Sequence, residues 1–275
     1  PPYVSKPDGK AVQTMEVPCV LMLVMDTRDG SVRVTPQEGR DAVTCSVRVD
    51  IRLYRTDGGD EQFDVSELLA RVGAVESTAS ALRVRSLPGD WPDTIAAIVK
   101  YDVDVSEGAD VQLNGVNGNV WVARGCGEVR VESSNADVSI HEPTGPVLAR
   151  SVNGRLRLFG SREPATLETV NGNSRAEVIE GRLTAVSVNG NVRADVIRPT
   201  VEAAVLRSEN GDVEIDLPRR SGFTLDAVAD RGRVIGDEVV EGLSTGSGAY
   251  RGVAGSGDML LTLHSANGSI KLSRN

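Results

Sequence analysis

Apolar and polar positions alternate in short runs along this chain, and between residues 117 and 190 the alternation returns every 18 residues without insertion or deletion. Corners at Asn117-Gly118, Asn135-Ala136, Asn153-Gly154, Asn171-Gly172 and Asn189-Gly190 mark the copies. Three residues after each Asn stand Val120, Val138, Leu156, Ser174 and Val192, and five residues after it Val122, Ile140, Leu158, Ala176 and Ala194. That period of two is a strand with one buried face. Ten residues after the Asn a second turn signal recurs at Gly127, Gly145, Gly181 and Pro199, with Glu163 as the exception. A second strand then opens at Val129, Val147, Ala165, Leu183 and Val201, and continues inward two residues later at Val131, Ala149, Leu167, Ala185 and Ala203. A two-strand unit this short cannot bury its own apolar face, so the copies must stack on one another.

The pattern therefore predicts an all-β chain: a parallel β-solenoid with turns of about 18 residues, two strands per turn, and one helix in the N-terminal region. Asn tolerates the corner conformation, the following Gly has no Cβ to clash, and stacked Asn side chains can bond one another along the axis. The expected structural ladder is Asn117, Asn135, Asn153, Asn171 and Asn189, continued with looser spacing by Asn210 and Asn267. Arg231-Gly232 reads as a further corner between those last two, and the Gly/Ser-rich stretch 242–257 as a protruding loop. Ser133, Ser151, Thr169 and Ser187 form a column of small hydroxyls placed to bond the backbone of a neighbouring turn. Roughly eight or nine turns at about 4.8 Å each make a rod on the order of 40 Å long. Eighteen is also three times six, but the left-handed hexapeptide helix of acyltransferases needs an aliphatic residue at every sixth position. The series Val152, Leu158, Pro164 and Val188, Ala194, Thr200 both fail it.

Residues 1–16 read as a tail, 17–113 as N-terminal strands and a helix that cap the solenoid, and 114–275 as the repeat region. Strands are expected over 17–25, 31–35, 42–53, 95–105 and 111–113. The helix is expected over 60–82, where Val65, Leu68, Leu69, Val72, Val75, Ala79 and Leu82 fall at helical spacing. A separate small α+β domain is the other reading of this region.

Composition narrows the function more than it names one. Aromatic residues make up 3% of the chain, which weakens glycan platforms and single-strand stacking alike. A net charge of −9 argues against a nucleic-acid partner. Cys19, Cys45 and Cys126 make no CxxC pair, so no metal site is expected, and Cys19 and Cys45 read as buried thiols rather than a disulfide. No run approaches a membrane span. The chain opens Pro1-Pro2-Tyr3, which suggests that a signal or anchor segment has been removed.

Gly242-Leu243-Ser244-Thr245-Gly246 matches a nucleophile elbow in letters only, because that motif needs a strand-to-helix turn with a His and an acid around it. His264 reads as an outward strand residue and His141 as an exposed corner. Asp102 and Asp104 share a strand face but lack the oxygen set of a calcium loop. Asn267-Gly268-Ser269 is a sequon that the corner already explains. No catalytic, cofactor-binding or metal residue is expected.

The units NGNVWV, NGRLRL and NGNVRA, then SENGDVEIDLP and GSGDMLLTLHSANGSIKL, resemble the bacterial putative adhesin family, as does the opening VLMLVMDTRDGSVRVTPQEGRDAVTCSVRV. The resemblance covers roughly residues 17 to 275 and carries no functional residues across. It implies a β-solenoid at the bacterial cell envelope, periplasmic or extracellular. The expected function is a non-enzymatic adhesion or binding module whose partner is a surface or envelope ligand, protein or glycan. The alternative is a bactofilin-like scaffold that self-associates through its solenoid edges.

Overall fold

The computed structural model describes residues 9–27, 30–37, 44–55, 74–78, 81–85, 94–236, 241–244 and 248–275. Alternating residues drive every element into extended structure, and among the described residues there is no helix. The N-terminal strands are β1 (Gly9–Pro18), β2 (Met22–Asp26), β3 (Ser31–Gln37), β4 (Thr44–Arg55), β5 (Ala74–Ser77), β6 (Leu82–Arg85) and β7 (Ile95–Ser106). The repeat supplies β8 (Asp110–Asn117), β9 (Val120–Val122), β10 (Val129–Asn135), β11 (Val138–His141), β12 (Val147–Asn153), β13 (Leu156–Ser161), β14 (Ala165–Asn171), β15 (Ser174–Asn189) and β16 (Val192–Ser208). The C-terminal strands are β17 (Val213–Leu217), β18 (Phe223–Ala229), β19 (Val234–Gly236), β20 (Glu241–Ser244), β21 (Ala249–Ala254), β22 (Met259–Ser265) and β23 (Ile270–Arg274).

These strands stack into two facing columns. In the first column β9, β11, β13 and the first halves of β15 and β16 pair in parallel, and β17, β23 and β19 follow. In the second, β8, β10, β12, β14 and the second halves of β15 and β16 pair in parallel, followed by β22 and β18. Through the middle the partners are 18 residues apart: Val138 lies beside Leu156, and Asn153 beside Asn171. The inward positions are buried as alternation requires, from Val120, Val122, Val129 and Val131 through Leu156, Leu158 and Leu167 to Val192 and Ala194.

Two departures have simple causes. The second corner of the later turns is not a break in the strand, because β15 and β16 run continuously around it through register shifts near Glu180 and Gly181. The turn from Asn189 to Asn210 is three residues longer than 18, so Leu183 and Ala185 face Ala204 and Leu206 rather than Val201 and Ala203.

The ends do not stack in sequence order. Rung β2–β3 is inserted between rung β6–β7 and rung β8–β9, with β2 pairing both β6 and β8 and β3 pairing both β7 and β9. At the other end rung β22–β23 is inserted between rung β16–β17 and rung β18–β19. Corner 210 is thus followed in space by corner 267 and only then by corner 231, against the sequential order expected. Antiparallel strands close both ends: β4 on β7 and β1 on β4, β5 on β6, then β21 on β18 and β20 on β21.

Four expectations are corrected here. Residues from Gly9 onward form an edge strand instead of a tail. The described end of the expected 60–82 helix is strand, because Val75 pairs with Val84 across an antiparallel β5–β6 ladder; residues 60–73 lie outside the described residues. The described residues of the stretch 242–257 are mostly strand rather than loop, since Glu241–Ser244 and Ala249–Ala254 pair as an antiparallel edge. Cys19 and Cys45 form a disulfide. The antiparallel β1–β4 register sets Val17 opposite Cys45, and the chain leaving β1 brings the two cysteine Cα atoms to 4.8 Å. Cys126 remains a buried free thiol, its pKa pushed up to about 12 by burial.

Candidate functional site

The corners show how closely the turns approach. Each Asn amide donates to the Asn carbonyl oxygen of the adjacent turn: Asn135 to Asn117 at 2.9 Å, Asn153 to Asn135 at 2.8 Å, Asn171 to Asn153 at 2.8 Å and Asn189 to Asn171 at 2.7 Å. Asn210 and Asn267 extend the chain at 2.8 Å each, and Arg231 Nη1 ends it at 2.7 Å from Asn267 Oδ1. Beside it, Ser187, Ser208 and Ser265 donate to the corner carbonyls of Gly172, Gly190 and Gly211. A Cβ on Gly172 would sit 1.9 Å from the Gly154 carbonyl oxygen, so that corner admits glycine only. These hydrogen bonds tie each corner of the scaffold to the next.

Chemistry that can meet a partner lies on the outer face of the first column, at positions that alternate with the buried ones. There Trp121, His141 and Phe159 form a diagonal column, His141 in register with Phe159 and Trp121 in register with Ser139 two residues before His141. The His141 ring centroid is 5.6 Å from that of Trp121 and 4.9 Å from that of Phe159, with the last two stacked at 19°. Strand β3, locked beside β9, brings Arg33 over the Trp121 ring at 5.1 Å and pairs it with Asp102 at 3.9 Å. The chain has only nine aromatic residues (Phe 3, Trp 2, Tyr 4), so two of them in one outward column, with one of its two histidines between, is a concentration.

At the corner end of this column a cleft of about 620 Å³ opens among Thr35, Gln37, Glu107, Trp121, Arg124 and Glu142. Burial lowers the His141 pKa, which keeps the imidazole neutral near neutral pH, with Glu142 opposing the shift weakly. Its Nε2 lies 3.0 Å from Ser139 Oγ. Glu142 holds φ at 41°, the left-handed region that a side chain disfavours. The conformation is fixed from both sides: Glu142 N donates to Phe159 O at 2.7 Å, and its carbonyl accepts from Gly125 N at 3.2 Å. Backbone strain held by the framework clusters at binding and active sites, which makes this cleft the candidate site. An aromatic wall, two carboxylates, a guanidinium and an amide converge here, the mix of an apolar surface and orienting polar groups that ligand clefts use.

Further along the same face Arg157, Arg175 and Arg193 stand in register on neighbouring strands, and with Arg155 they line a second groove of about 380 Å³. Arg155 binds Asp137 through Nε and Nη2 at 3.0 and 2.6 Å, and this hydrogen bond holds the Asp137 carboxyl below its usual range. Arg175 binds Asp195 at 2.8 Å. Arg193 meets Asp195, Glu214 and Asp216 at 3.1, 3.0 and 2.6 Å.

The other residues weighed from sequence fall elsewhere. Asp104 accepts from Ser46 at 2.6 Å, and Asp102 pairs with Arg33, so the two carboxylates hold neighbouring strands. His264 lies on an outer face, 3.2 Å from Asp230. Gly242–Ser244 lie in a strand of the hairpin, and residues 245–247 lie outside the described residues. Among the described residues no group of three or more His, Cys, Asp or Glu could hold a metal, and no helix is long and apolar enough to cross a membrane. Sequence reasoning passed over Trp121 and Phe159. Their signal was available, because Trp121 sits four residues after its corner Asn, and His141 and Phe159 six, at positions that alternation turns outward.

No curated protein matches the chain. Among solved structures it is similar to a "putative adhesin" of Bacteroides fragilis, at 11% identity and a TM-score of 0.50, covering 96% of this chain and 98% of that one. It also matches a "putative adhesin" of Parabacteroides distasonis at 10% identity and a TM-score of 0.44, covering 96% and 97%. At these identities the first likeness speaks for the fold alone. The family model of the Toastrack DUF4097 domain matches residues 22–273, and the chain belongs to that family.

Proposed function

We propose that this protein is a non-enzymatic binding module of the bacterial cell envelope, periplasmic or extracellular, that presents one face of a rigid β-solenoid to a surface or envelope ligand. The observation that carries the reading is the cleft bounded by Trp121 and His141 beside the strained Glu142. The face is built on strands paired on both sides, so its side chains are held in place before any ligand arrives. The adhesin descriptions of its structural neighbours are in keeping with this reading. Trp121→Ala should abolish retention of the purified protein on envelope glycans or surface proteins presented as an array, with its melting transition preserved. Fractionation of cells producing the full-length protein should place it outside the cytoplasm. Equal retention of wild type and variant would remove the cleft from the reading, and a cytoplasmic location would remove the envelope.

The scaffold alternative draws no support from the ends. Rung-on-rung growth needs open parallel edges, and here antiparallel strands and the three-residue β19 occupy those positions.

A further inference from the structure

Directly opposed like charges destabilise a sheet. Arg157 stands opposite Arg175, and Arg175 opposite Arg193, in consecutive parallel strands. The acidic partners that offset this repulsion gather at one end: Asp195, Glu214 and Asp216 surround Arg193 and reach back only as far as Arg175. At the other end Arg155 takes Asp137. Arg157 lies between them, half-buried, with Ser139 on one side and Arg175 on the other. Among the described residues it has no ion pair. Asp137 lies within Coulomb range of it but accepts its hydrogen bonds from Arg155. Arg157, half-buried and without an ion pair among the described residues, lies in a groove it shares with Arg155, Arg175 and Arg193 and, at the Arg193 end, with Asp212 and Glu214, an incomplete arrangement that an incoming anion completes.

We propose that the groove around Arg157 is an oxyanion subsite that receives the carboxylate of an acidic saccharide, whose neighbouring ring lies toward Phe159 and His141. A planar guanidinium fork matches a carboxylate in two parallel hydrogen bonds, and Arg155 and Arg175 flank Arg157 with their own carboxylates already in place, which leaves Arg157 as the group that receives the anion. Phe159 follows Arg157 by two residues on β13 and points to the same face, so an apolar ring surface adjoins the charge. Adjacent strands recur about 4.8 Å apart, whereas an extended acidic peptide presents same-side residues at roughly 6.7 Å, out of step with the ladder. The protein's own net charge of −9 and the acidic cluster around Arg193 favour one or two charged groups over a long polyanion. The inference rests on the reading of this face as a contact surface and names the chemistry it recognises.

The test uses the whole chain, with α-1,4-trigalacturonate as the acidic probe and its methyl ester as an uncharged partner of the same shape. The acid should shift the arginine Nε–H NMR signals of Arg155, Arg157 and Arg175 and should bind about tenfold or more tightly than the ester. Arg157→Gln should abolish that preference and leave the circular-dichroism spectrum unchanged, while Trp121→Ala should weaken acid and ester alike. Three results would overturn the proposal: an acid preference that survives in Arg157→Gln, equal binding of acid and ester to wild type, or triglutamate matching trigalacturonate. Trp121-dependent ester binding alongside any of these would leave the broader function standing.

Discussion

From Asn117 to Ser208 each rung rests on the rung before it in sequence, whereas at either end the rung is slotted between two segments distant along the chain. In the middle, neighbours are 18 residues apart; at the N-terminal end Asn114 reaches Asp26, and at the C-terminal end Asn267 reaches Asn210, 57 residues away. The difference concerns edges. A strand at the edge of a stack exposes unpaired backbone. Here rung β22–β23 is gripped on both sides, and the short β19 and the antiparallel β20–β21 pair take the edge instead. The first strand does occupy an edge, and there the Cys19–Cys45 disulfide ties it to β4.

The sharpest way to break this comparison is to remove one rung from each region. Deleting 154–171 joins Asn153 to Gly172 and lets the flanking turns meet in the same register, so a shortened protein should fold and melt cooperatively a few degrees lower. Deleting 257–275 removes an internal rung and the buried Met259, Leu261, Leu263, Ile270 and Leu272. At roughly 1.5–3 kcal/mol per side chain this is comparable to the roughly 5–15 kcal/mol that holds a typical protein together. It also leaves β16 and β18 without the strand that joins them. That variant should show no cooperative transition by circular dichroism, and a normal melt would mean that the C-terminal rung is a dispensable cap.

Next in size is the staple at the N-terminal end. Its cysteines lie 26 residues apart, and closing a loop of that order stabilises by about 3 kcal/mol. The double variant Cys19→Ser, Cys45→Ser should lose that much in urea denaturation, and reductant should lower the wild-type melting temperature to match. Cys126 will not confuse the result, because its thiol is buried and its pKa, raised to about 12, keeps it protonated. If neither change moves the midpoint, the edge strand is secured by its ladder alone.

The two regions also differ in how tightly a corner is held. In Gly172→Ala the new methyl would meet the Gly154 carbonyl at 1.9 Å, with stacked corners on both sides that cannot give way. Overpacking of this kind costs about 2–3 kcal/mol. At Gly108, near the cleft, an added methyl would meet nothing within 4 Å and only the φ of +77° stands against it, so Gly108→Ala should cost about 1 kcal/mol. Equal losses in the two variants would show that conformational strain, not the stacking contact, sets the glycine requirement.

The same contrast explains what could be read from the chain. Where a residue's partner lies 18 positions away, the period is the register, and the Asn corners, the inward columns and the serine column are legible. At the ends, the local pattern of 31–37 fits any slot in a parallel stack, and only the contact of Val32 with both Tyr101 and Val120 chooses between them. Helical spacing over 60–82 likewise does not reveal that Leu82 and Val84 will be captured by β2. The disulfide depends on an antiparallel register between strands 26 residues apart, which spacing alone does not specify. The aromatic column was legible in principle, since the repeat itself turns Trp121, His141 and Phe159 outward. An average of 3% aromatics hides where those few residues stand.

The smallest effect tests whether every hydroxyl in the repeat serves the stack. Ser187 is buried and donates to the Gly172 carbonyl at 2.9 Å, so Ser187→Ala should cost about 1 kcal/mol through the lost bond. Ser174 is equally buried but stands in an apolar column between Leu156 and Val192, and its Oγ finds no partner. A buried hydroxyl without a hydrogen bond carries its desolvation cost uncompensated, so Ser174→Ala should gain about 1 kcal/mol. Two serines thirteen positions apart, in strand β15 alone, should thus move the urea midpoint in opposite directions. A loss in both would mean that Ser174 is held for the packing of its rung beneath the arginine groove, and that the outer face and the core of that turn are less independent than alternation implies.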